Sequence, residues 1–305
     1  MNVYVYPTDR DWYRFLARQG NLDEVNFWRP GGKMAFRQLK LGDLFLFRLG
    51  APDYAIAGGG FFTHFTFAPL TTAWELFGTK NGTPDFDSFS RAVARYRIKK
   101  SPEDVAWAQI GNIILSQPFF LPSGEWLSIP PDYQVNSPQG MRFTEDSASG
   151  RALLDAVFAK FARVAVRENI DTPVEFGESL VRRRLGQGAF SLLVSDAYDK
   201  RCAVTGEKTL PVLEAAHIKP VAKGGFHGTA NGLLLRSDVH KLFDRGYVTV
   251  EPSGVFRVSS RLREDWSNGV VYYALDGSRI RLPSATEFRP SPLLLEWHND
   301  VLFKG

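Results

Sequence analysis

The sequence predicts an α+β protein of two domains, on three observations. The chain has 305 residues, which is enough for two domains of ordinary size. Its first half holds short β-like runs rich in aromatic residues, whereas residues 151–168 repeat apolar side chains at helical spacing. Its last third orders a strand, a loop, a strand and a short helix. We expect an N-terminal domain over 1–140, a linker and connecting helix over 141–170, and a C-terminal domain over 171–305.

The N-terminal half and the segment after it predict strands, helices and one linker. Residues 58–60 are all glycine, which indicates either a close approach of two backbones or a turn with positive φ. The polar segment 136–150 has no sustained apolar period and predicts the interdomain linker. We expect strands over 2–6, 44–49 and 54–57, and helices over 12–19, 151–168 and 191–198.

The C-terminal third has a tighter pattern. Ser237 is a suitable N-cap for a short helix, and Gly246 is a suitable stop after its last turn. Asp276 and Gly277 favour a hairpin turn. We expect strands over 210–218, 233–236, 247–251, 255–258, 270–275 and 279–282, and a closing helix over 293–302.

Composition excludes several classes of protein. Apolar residues make up 44% and charged residues 23%, which is typical of globular domains. No run of about 18 apolar residues exists, and residues 1–6 lack the features of a signal peptide, so we expect a cytoplasmic protein without a membrane partner. The single cysteine, Cys202, excludes a zinc ribbon. Residues 151–305 hold 22 Lys and Arg against 18 Asp and Glu, so the net charge of +4 lies there, which fits a phosphate-binding surface.

Four polar side chains of the C-terminal half have a spacing that suits phosphodiester hydrolysis, which needs an activated water and a cation at the leaving oxygen. His217 ends the first expected strand of this region, and Asn231 opens the second. His240 and Asp244 are four residues apart on the expected helix, so they share one face and can bind one divalent cation. His217 on the facing hairpin can take a proton from water, while Asn231 orients its loop.

The segments that carry these residues resemble the HNH endonuclease family. They are residues 202–206, 213–220 and 231–246, with the lead-in 182–190. Spacing, residue type and element order agree together over roughly residues 175–260. The resemblance implies the ββα-metal fold, with His217 as the general base, Asn231 as the residue that orients the loop, and His240 as a metal ligand. Asp244 matches the position of a further ligand.

The chain departs from the family pattern in two places. Many family members carry Asp or His directly before the general base as another metal ligand, whereas this chain has Ala216. Glu214 lies two residues earlier on the same strand face, and we predict it as a replacement ligand. The structural cysteine pairs are also missing, so the core must hold without zinc. The expected cofactor is a divalent cation, with Mg²⁺, Mn²⁺ and Ni²⁺ ahead of Zn²⁺.

Basic residues near these segments are candidates for contacts with DNA phosphates, because such contacts depend on Lys and Arg. The candidates are Arg183 within the run 182–184, Lys219, Lys223 and Lys241. The other histidines lack partners at an informative spacing, so we expect structural or surface roles for them. They are His64, His227 and His298.

The N-terminal half resembles the PUA-like superfamily near its EVE branch. The similarity lies in Leu39-x-x-Gly42-Asp43 at a strand entry and in the glycine-rich strand that follows. The superfamily has a small twisted barrel, and some members bind modified bases, flipped out of a duplex, in an aromatic pocket. We therefore predict a PUA-like twisted β-barrel with Trp28 and Trp74 as residues that stack on a base.

Together the two resemblances predict a modification-dependent restriction enzyme. Its expected partner is double-stranded DNA with a modified cytosine, such as methyl- or hydroxymethylcytosine. Two alternatives stay open: an HNH nuclease that acts on unmodified DNA, and a nucleic-acid-binding protein with a degenerate nuclease site, which Ala216 favours. A double-strand cut by one site per chain needs a homodimer or two sequential nicks, and the sequence does not choose between them.

Overall fold

The computed structural model describes residues 1–31, 33–97, 108–134, 139–168 and 185–305. The chain divides into two units, Met1–Ala189 and Phe190–Gly305. The predicted α+β class is confirmed, because a large sheet dominates the first unit and short strands and helices alternate in the second. Within the described residues, no helix is both long and apolar enough to cross a membrane.

A sheet of seven described strands is the centre of the first unit. The strands are β1 Asn2–Pro7, β2 Glu24–Arg29, β3 Leu44–Arg48, β4 Ala55–Pro69, β5 Gln109–Phe120, β6 Leu127–Ser128 and β7 Met141–Thr144. Their order is β2-β5-β4-β3-β1-β7, with β6 paired to β4. β1 and β3 are parallel, and the other pairs are antiparallel. These pairings give an open path from β2 to β7, so closure into a barrel stays a prediction.

β3 is buried on both faces, which explains its continuous apolar sequence. Successive side chains point to opposite faces, so Phe45 joins a cluster rich in aromatic rings and Leu46 joins a second core cluster. The glycine run of β4 allows neighbouring strands to come close: a Cβ on Gly58 would lie 2.2 Å from the carbonyl oxygen of Phe119. Close approach is therefore the role of these glycines, rather than a turn.

The first unit contains several described helices, and the first of them begins at a clear capping residue. They are α1 Arg10–Ala17, α2 Leu70–Phe77, α3 Phe86–Arg95 and α4 Ala148–Glu168, and α5 Gln187–Ala197 runs past the unit boundary. Asp9 caps α1, because its carboxylate accepts hydrogen bonds from the backbone N–H groups of Asp11 and Trp12. α4 packs against β1 and β7 through Leu154 and Val157.

The segment predicted as a linker, residues 136–150, is partly regular structure. β7 pairs with β1 across this segment, and Phe143 is buried. Met141 and Phe143 alternate with polar residues, which is a strand pattern, but four residues are too few to stand out in a polar context. α4 then begins at Ala148. Both elements belong to the first unit.

The second unit places a hairpin beside a short helix. Its elements are β8 Leu213–His217, β9 Gly232–Arg236, α6 Ser237–Asp244, β10 Val248–Val250, β11 Phe256–Val258, α7 Arg261–Trp266, α8 Val270–Tyr273 and α9 Pro292–Val301. β8 pairs antiparallel with β9, and β10 with β11. α6 ends where expected, since Gly246 has φ +71° and follows the C-cap. The N-cap is Arg236, so the predicted cap Ser237 is instead the first helical residue.

The predicted strand over 270–275 is wrong, because the structure forms helix α8 there. Val270 and Val271 are 76% and 66% exposed, so the half-buried surface that favours β-branched residues in strands is missing. The hydroxyl groups of Tyr272 and Tyr273 fix the segment by donating to Asp238 and to the carbonyl of Ser259. The region over 279–282 keeps only one isolated bridge, and 210–212 form a 3₁₀ turn before β8.

Candidate active site

The β8–β9 hairpin brings the ends of two strands together at His217. Backbone register pairs His217 with Gly232, directly after Asn231. Gly232 must lack a side chain, because a Cβ there would lie 2.5 Å from the Val194 side chain. The hairpin is therefore packed closely onto α5 at the point where His217 leaves the strand.

Asn231 holds the loop between β8 and β9 through three hydrogen bonds of its fully buried side chain. Its Oδ1 accepts from the backbone N–H of Lys219 at 2.8 Å. Its Nδ2 donates to the carbonyl oxygens of Lys219 at 2.9 Å and Phe226 at 2.8 Å. One amide thus fixes both arms of the loop, the first next to His217 and the second next to His227.

His217 is half-buried and stacks on an aromatic ring. The Phe190 ring lies parallel to it, with ring centroids 4.0 Å apart and planes 12° apart. Burial is the largest cause that lowers the pKa of His217 to about 4, and the nearby His227 and His240 contribute to the same fall. The imidazole is therefore neutral at neutral pH and keeps one nitrogen lone pair able to accept a proton.

His227 is a partner of His217 that the sequence reasoning placed among structural or surface residues. Its Nδ1 lies 3.0 Å from Nε2 of His217, and the two ring centroids are 5.0 Å apart. His227 lies ten residues after His217 in the loop between β8 and β9, where no helix or strand period applies, so no spacing signal marks the pair. What brings His227 there is the loop path that Asn231 fixes at Phe226.

His240 lies on α6 between two carboxylates. Its Nδ1 is 2.6 Å from Oε2 of Glu214, and its Nε2 is 3.4 Å from Oδ2 of Asp244. Asp244 reaches it because the two residues are one helical turn apart, and Glu214 reaches it from β8. Burial raises the pKa of Asp244; His240 opposes this rise, and the negative charge of Glu214 adds to it.

The donor types around His240 suit a divalent cation, but they are not gathered on one point. Carboxylate oxygens and an imidazole nitrogen are the ligands that such ions take in catalytic sites. Across the described residues, no group of three or more His, Cys, Asp or Glu is arranged as a ready metal cage. Glu214 and Asp244 meet opposite edges of the His240 ring, so one ion on a single ring nitrogen has only one of them beside it.

Two of the predicted phosphate-binding lysines converge on one indole. The ammonium nitrogens of Lys219 and Lys223 lie 5.2 Å and 5.9 Å from the ring centroid of Trp297 on α9. Within the described part of the chain, no ion pair involves either lysine. Lys241 is exposed on α6, and Arg183 lies outside the described residues.

The first unit contains a cavity of about 490 Å³ with aromatic walls. Its walls include Tyr6, Trp12, Phe27, Trp28, Arg29 and Tyr96. Trp28 is one of the two aromatic residues predicted to stack on a base. The other, Trp74, packs against Phe86 and Phe89 and does not line this cavity.

Comparison with known proteins bears on the second unit. Residues 202–251 match the family model HNH_2, described as HNH endonuclease. The second unit carries an HNH endonuclease domain. HNH domains of nucleases generally use divalent metal ions, and His217, Asn231, His240 and Asp244 of this HNH domain all lie inside the matched segment.

Solved structures add only distant similarities, and no curated protein matches the sequence. Two mutant forms of the ASCH protein from Zymomonas mobilis are 9% identical, with TM-scores of 0.32 and 0.31. The aligned regions cover 50% and 51% of this chain, and 96% and 95% of the respective ASCH chains. A modification-dependent restriction endonuclease, TagI, is 15% identical with a TM-score of 0.31, over 98% of this chain and 81% of its own. Similarity at this level assigns neither fold nor function to this chain.

Proposed function

We propose that the protein is a metal-dependent DNA endonuclease that recognises a modified cytosine through its first unit and hydrolyses phosphodiester bonds with its HNH domain. The observation that carries the nuclease assignment is the local geometry of that domain. A neutral His217 leaves the end of β8, and His240, which itself contacts two carboxylates, is close enough to lower the pKa of His217. An acceptor for a proton and donors for a cation are the two parts that this hydrolysis requires.

His217 acts as the general base in this proposal. A water O–H bond breaks as its oxygen bonds to phosphorus, and the proton moves to the free imidazole nitrogen. The bond from phosphorus to the 3′ oxygen breaks, and the leaving oxygen takes a proton from solvent. Phe190 fixes the ring plane of His217 by stacking, and Asn231 fixes the loop that follows it. Such fixed placement lowers the barrier because the reacting groups need no further ordering.

His240 and Asp244 are the residues proposed to hold the cation. When bound, a divalent ion supplies a positive charge that stabilises the leaving oxygen. Glu214 remains a candidate ligand, and its contact with Nδ1 of His240 gives it a second role. A hydrogen bond from Nδ1–H of His240 to Glu214 orients the ring and leaves the lone pair on Nε2, which faces Asp244. Mg²⁺, Mn²⁺ and Ni²⁺ are the ions proposed first, and Zn²⁺ after them.

Lys219 and Lys223 are proposed to bind a backbone phosphate beside the reacting one. Two ammonium groups that share one indole repel each other, and an anion between them relieves this repulsion. Asn231 binds the backbone of Lys219 on both sides, so a phosphate held there is placed rigidly relative to His217. Lys241 and Arg183 are proposed as further phosphate contacts, as the sequence suggests.

The aromatic cavity of the first unit is proposed to hold the modified base. Its volume of about 490 Å³ is within the range of small-ligand sites, and its aromatic walls offer stacking surfaces. Trp28 lines this cavity and Trp74 packs against α3, so we assign the stacking role to Trp28. The proposed partner is double-stranded DNA with methyl- or hydroxymethylcytosine.

The test is digestion of three duplexes of one sequence that carry cytosine, 5-methylcytosine or 5-hydroxymethylcytosine. Each is incubated with the full chain and Mg²⁺, Mn²⁺, Ni²⁺ or Zn²⁺ in turn, with EDTA as the control. We expect cleavage only with a divalent ion, and faster cleavage of a modified duplex. Equal cleavage of all three would favour a nuclease for unmodified DNA, and binding in EDTA without cleavage in any metal would favour a degenerate site.

A further inference from the structure

We propose that His227 is a positioning residue that fixes the tautomer of His217, so that the nitrogen facing the substrate carries the lone pair. The proposal rests on the proposed role of His217 as general base and adds a residue to it. His227 lies in the loop between β8 and β9, inside the segment that matches the HNH model. Its carrying observation is the contact of 3.0 Å between Nδ1 of His227 and Nε2 of His217.

The two nitrogens of this contact share one hydrogen. A neutral imidazole has one N–H and one lone pair, so one ring donates and the other accepts. If Nε2 of His217 donates, its Nδ1 holds the lone pair and can accept a proton from water. If Nδ1 of His227 donates instead, the hydrogen of His217 sits on Nδ1, and no lone pair remains for catalysis.

The surroundings make the first arrangement the productive one. Within the described residues, Nε2 of His217 bonds to His227 while its Nδ1 has no protein partner. A ring whose Nδ1 is uncommitted can turn that atom only to water or substrate. The ring cannot easily flip to exchange the two nitrogens, because Phe190 stacks flat on it at 4.0 Å.

His227 is held in its accepting position by neighbours that do not depend on DNA. Phe190 packs on it at a tilt, with ring centroids 5.7 Å apart. The carbonyl of Phe226, the preceding residue, accepts from Nδ2 of Asn231 at 2.8 Å. The same amide binds Lys219, two residues after His217, so one side chain sets the distance between the two histidines.

The contact also stabilises the product of proton transfer. When Nδ1 of His217 takes the proton from water, the ring becomes a cation with N–H groups on both nitrogens. Its Nε2–H keeps donating to the lone pair on Nδ1 of His227, so the charge that forms in a half-buried site stays hydrogen-bonded. No proton leaves the pair in this step, and His227 stays neutral.

The test compares His227→Asn with His227→Leu in the full chain. The side-chain oxygen of Asn reaches about the position of Nδ1 and can still accept, whereas Leu cannot. Long-range ¹H–¹⁵N correlation spectra without metal report which nitrogen of His217 carries the hydrogen, and the chain has only five histidines to assign. We expect Nε2–H in the natural protein and in His227→Asn, and a mixture of both tautomers in His227→Leu.

Cleavage rates give the second readout. We expect kcat of His227→Leu to fall about 10–100-fold, as for other residues that orient a reacting group, with KM within about 2-fold and with His227→Asn close to the natural protein. A hydrogen on Nδ1 of His217 in the natural protein would overturn the proposal, and so would a His227→Leu chain with an unchanged spectrum and kcat. If the natural protein shows Nε2–H but cuts no DNA with any metal, the proposed function fails and the positioning role stands.

Discussion

Two histidines of the second unit lie flat on phenylalanine rings, and comparing them separates the environment of the proposed general base from that of a structural histidine. His217 stacks on Phe190 at 4.0 Å and 12°, and His298 stacks on Phe243 at 3.7 Å and 13°. Burial is the main cause that lowers the pKa of each to about 4. Stacking and a lowered pKa therefore do not distinguish a base from a core residue.

The difference lies in what the ring nitrogens contact. His298 is fully buried, with Nδ1 2.8 Å from the hydroxyl of Thr249 and Nε2 3.1 Å from the carbonyl of Phe243. Among the residues that the structure describes, His217 commits only Nε2, to His227. A histidine with both nitrogens engaged holds the fold together, whereas one with a single nitrogen engaged can exchange a proton with a substrate.

The strongest test of this comparison is to remove each imidazole in turn. We expect His217→Ala to lower the cleavage rate by about 10²–10⁴-fold, because that is the usual contribution of a general base. DNA binding in EDTA should stay within about 2-fold, since the variant keeps the surface lysines. A His217→Ala chain that cuts at the natural rate would remove His217 from the base role.

His298→Leu should instead lower the stability of the protein and leave the cleavage rate nearly unchanged. The hydroxyl of Thr249 and the carbonyl of Phe243 lose their buried partner, so we expect the free energy of unfolding to fall by about 2–4 kcal/mol. Cleavage per folded molecule should change by less than about 5-fold. Urea denaturation measures the first effect and a rate at low temperature the second; a selective loss of rate with unchanged stability would contradict the structural role.

The pH dependence of stability sharpens the comparison further. The unfolded chain protonates His298 near its ordinary pKa of 6.5, whereas the folded chain does so only near pH 4. The unfolded state thus binds more protons between these values, and the free energy of unfolding falls as pH drops from 6.5 towards 4. The fall due to His298 is at most about 3 kcal/mol. The total fall in the free energy of unfolding over this pH range should be measurably smaller in His298→Leu. An equal fall in both chains would show that the pKa of His298 is not lowered in the folded protein.

The smallest expected effect is on the salt dependence of DNA binding, and it concerns the other face of α9. His298 on this helix is buried, whereas Trp297 lies beside two lysines. For duplex DNA, each phosphate that the protein no longer neutralises reduces the slope of log K against log salt by about 0.9. We expect Lys219→Ala and Lys223→Ala each to reduce the slope by this amount. Lys208→Ala, at an exposed lysine elsewhere in the second unit, is the matched control, and an equal change there would show a nonspecific charge effect.

Local rules explain which parts of the site the sequence could predict. His240 and Asp244 are one helical turn apart, and the order of strand, loop, strand and helix places His217 near them. His227 followed no such rule, because its position depends on side-chain hydrogen bonds of Asn231 to a loop carbonyl. Trp297 joins Lys219 only through the tertiary fold.

The same distinction between local rules and tertiary contacts explains which elements of the fold the sequence could predict. β3 could be predicted from its unbroken apolar run, and the sequence also predicted α9 as a closing helix. α8 could not, because Val270 and Val271 have strand propensity but lie exposed on a four-residue helix held by tyrosine hydroxyls. β7 could not be predicted, because its alternating pattern is short and lies in a polar segment. The strand is stabilised by pairing with β1, which is far away in the sequence.

The burial and hydrogen bonds of Asn231 have a consequence for the chemical ageing of the chain. Asn231 precedes Gly232, and an Asn–Gly peptide is prone to cyclise to a succinimide and convert to aspartate, because glycine leaves its backbone nitrogen unhindered. In the folded protein the amide of Asn231 is buried and turned towards Lys219 and Phe226. Storage damage at this bond should therefore follow the unfolded fraction, and an aspartate formed there would set a negative charge against two carbonyl oxygens.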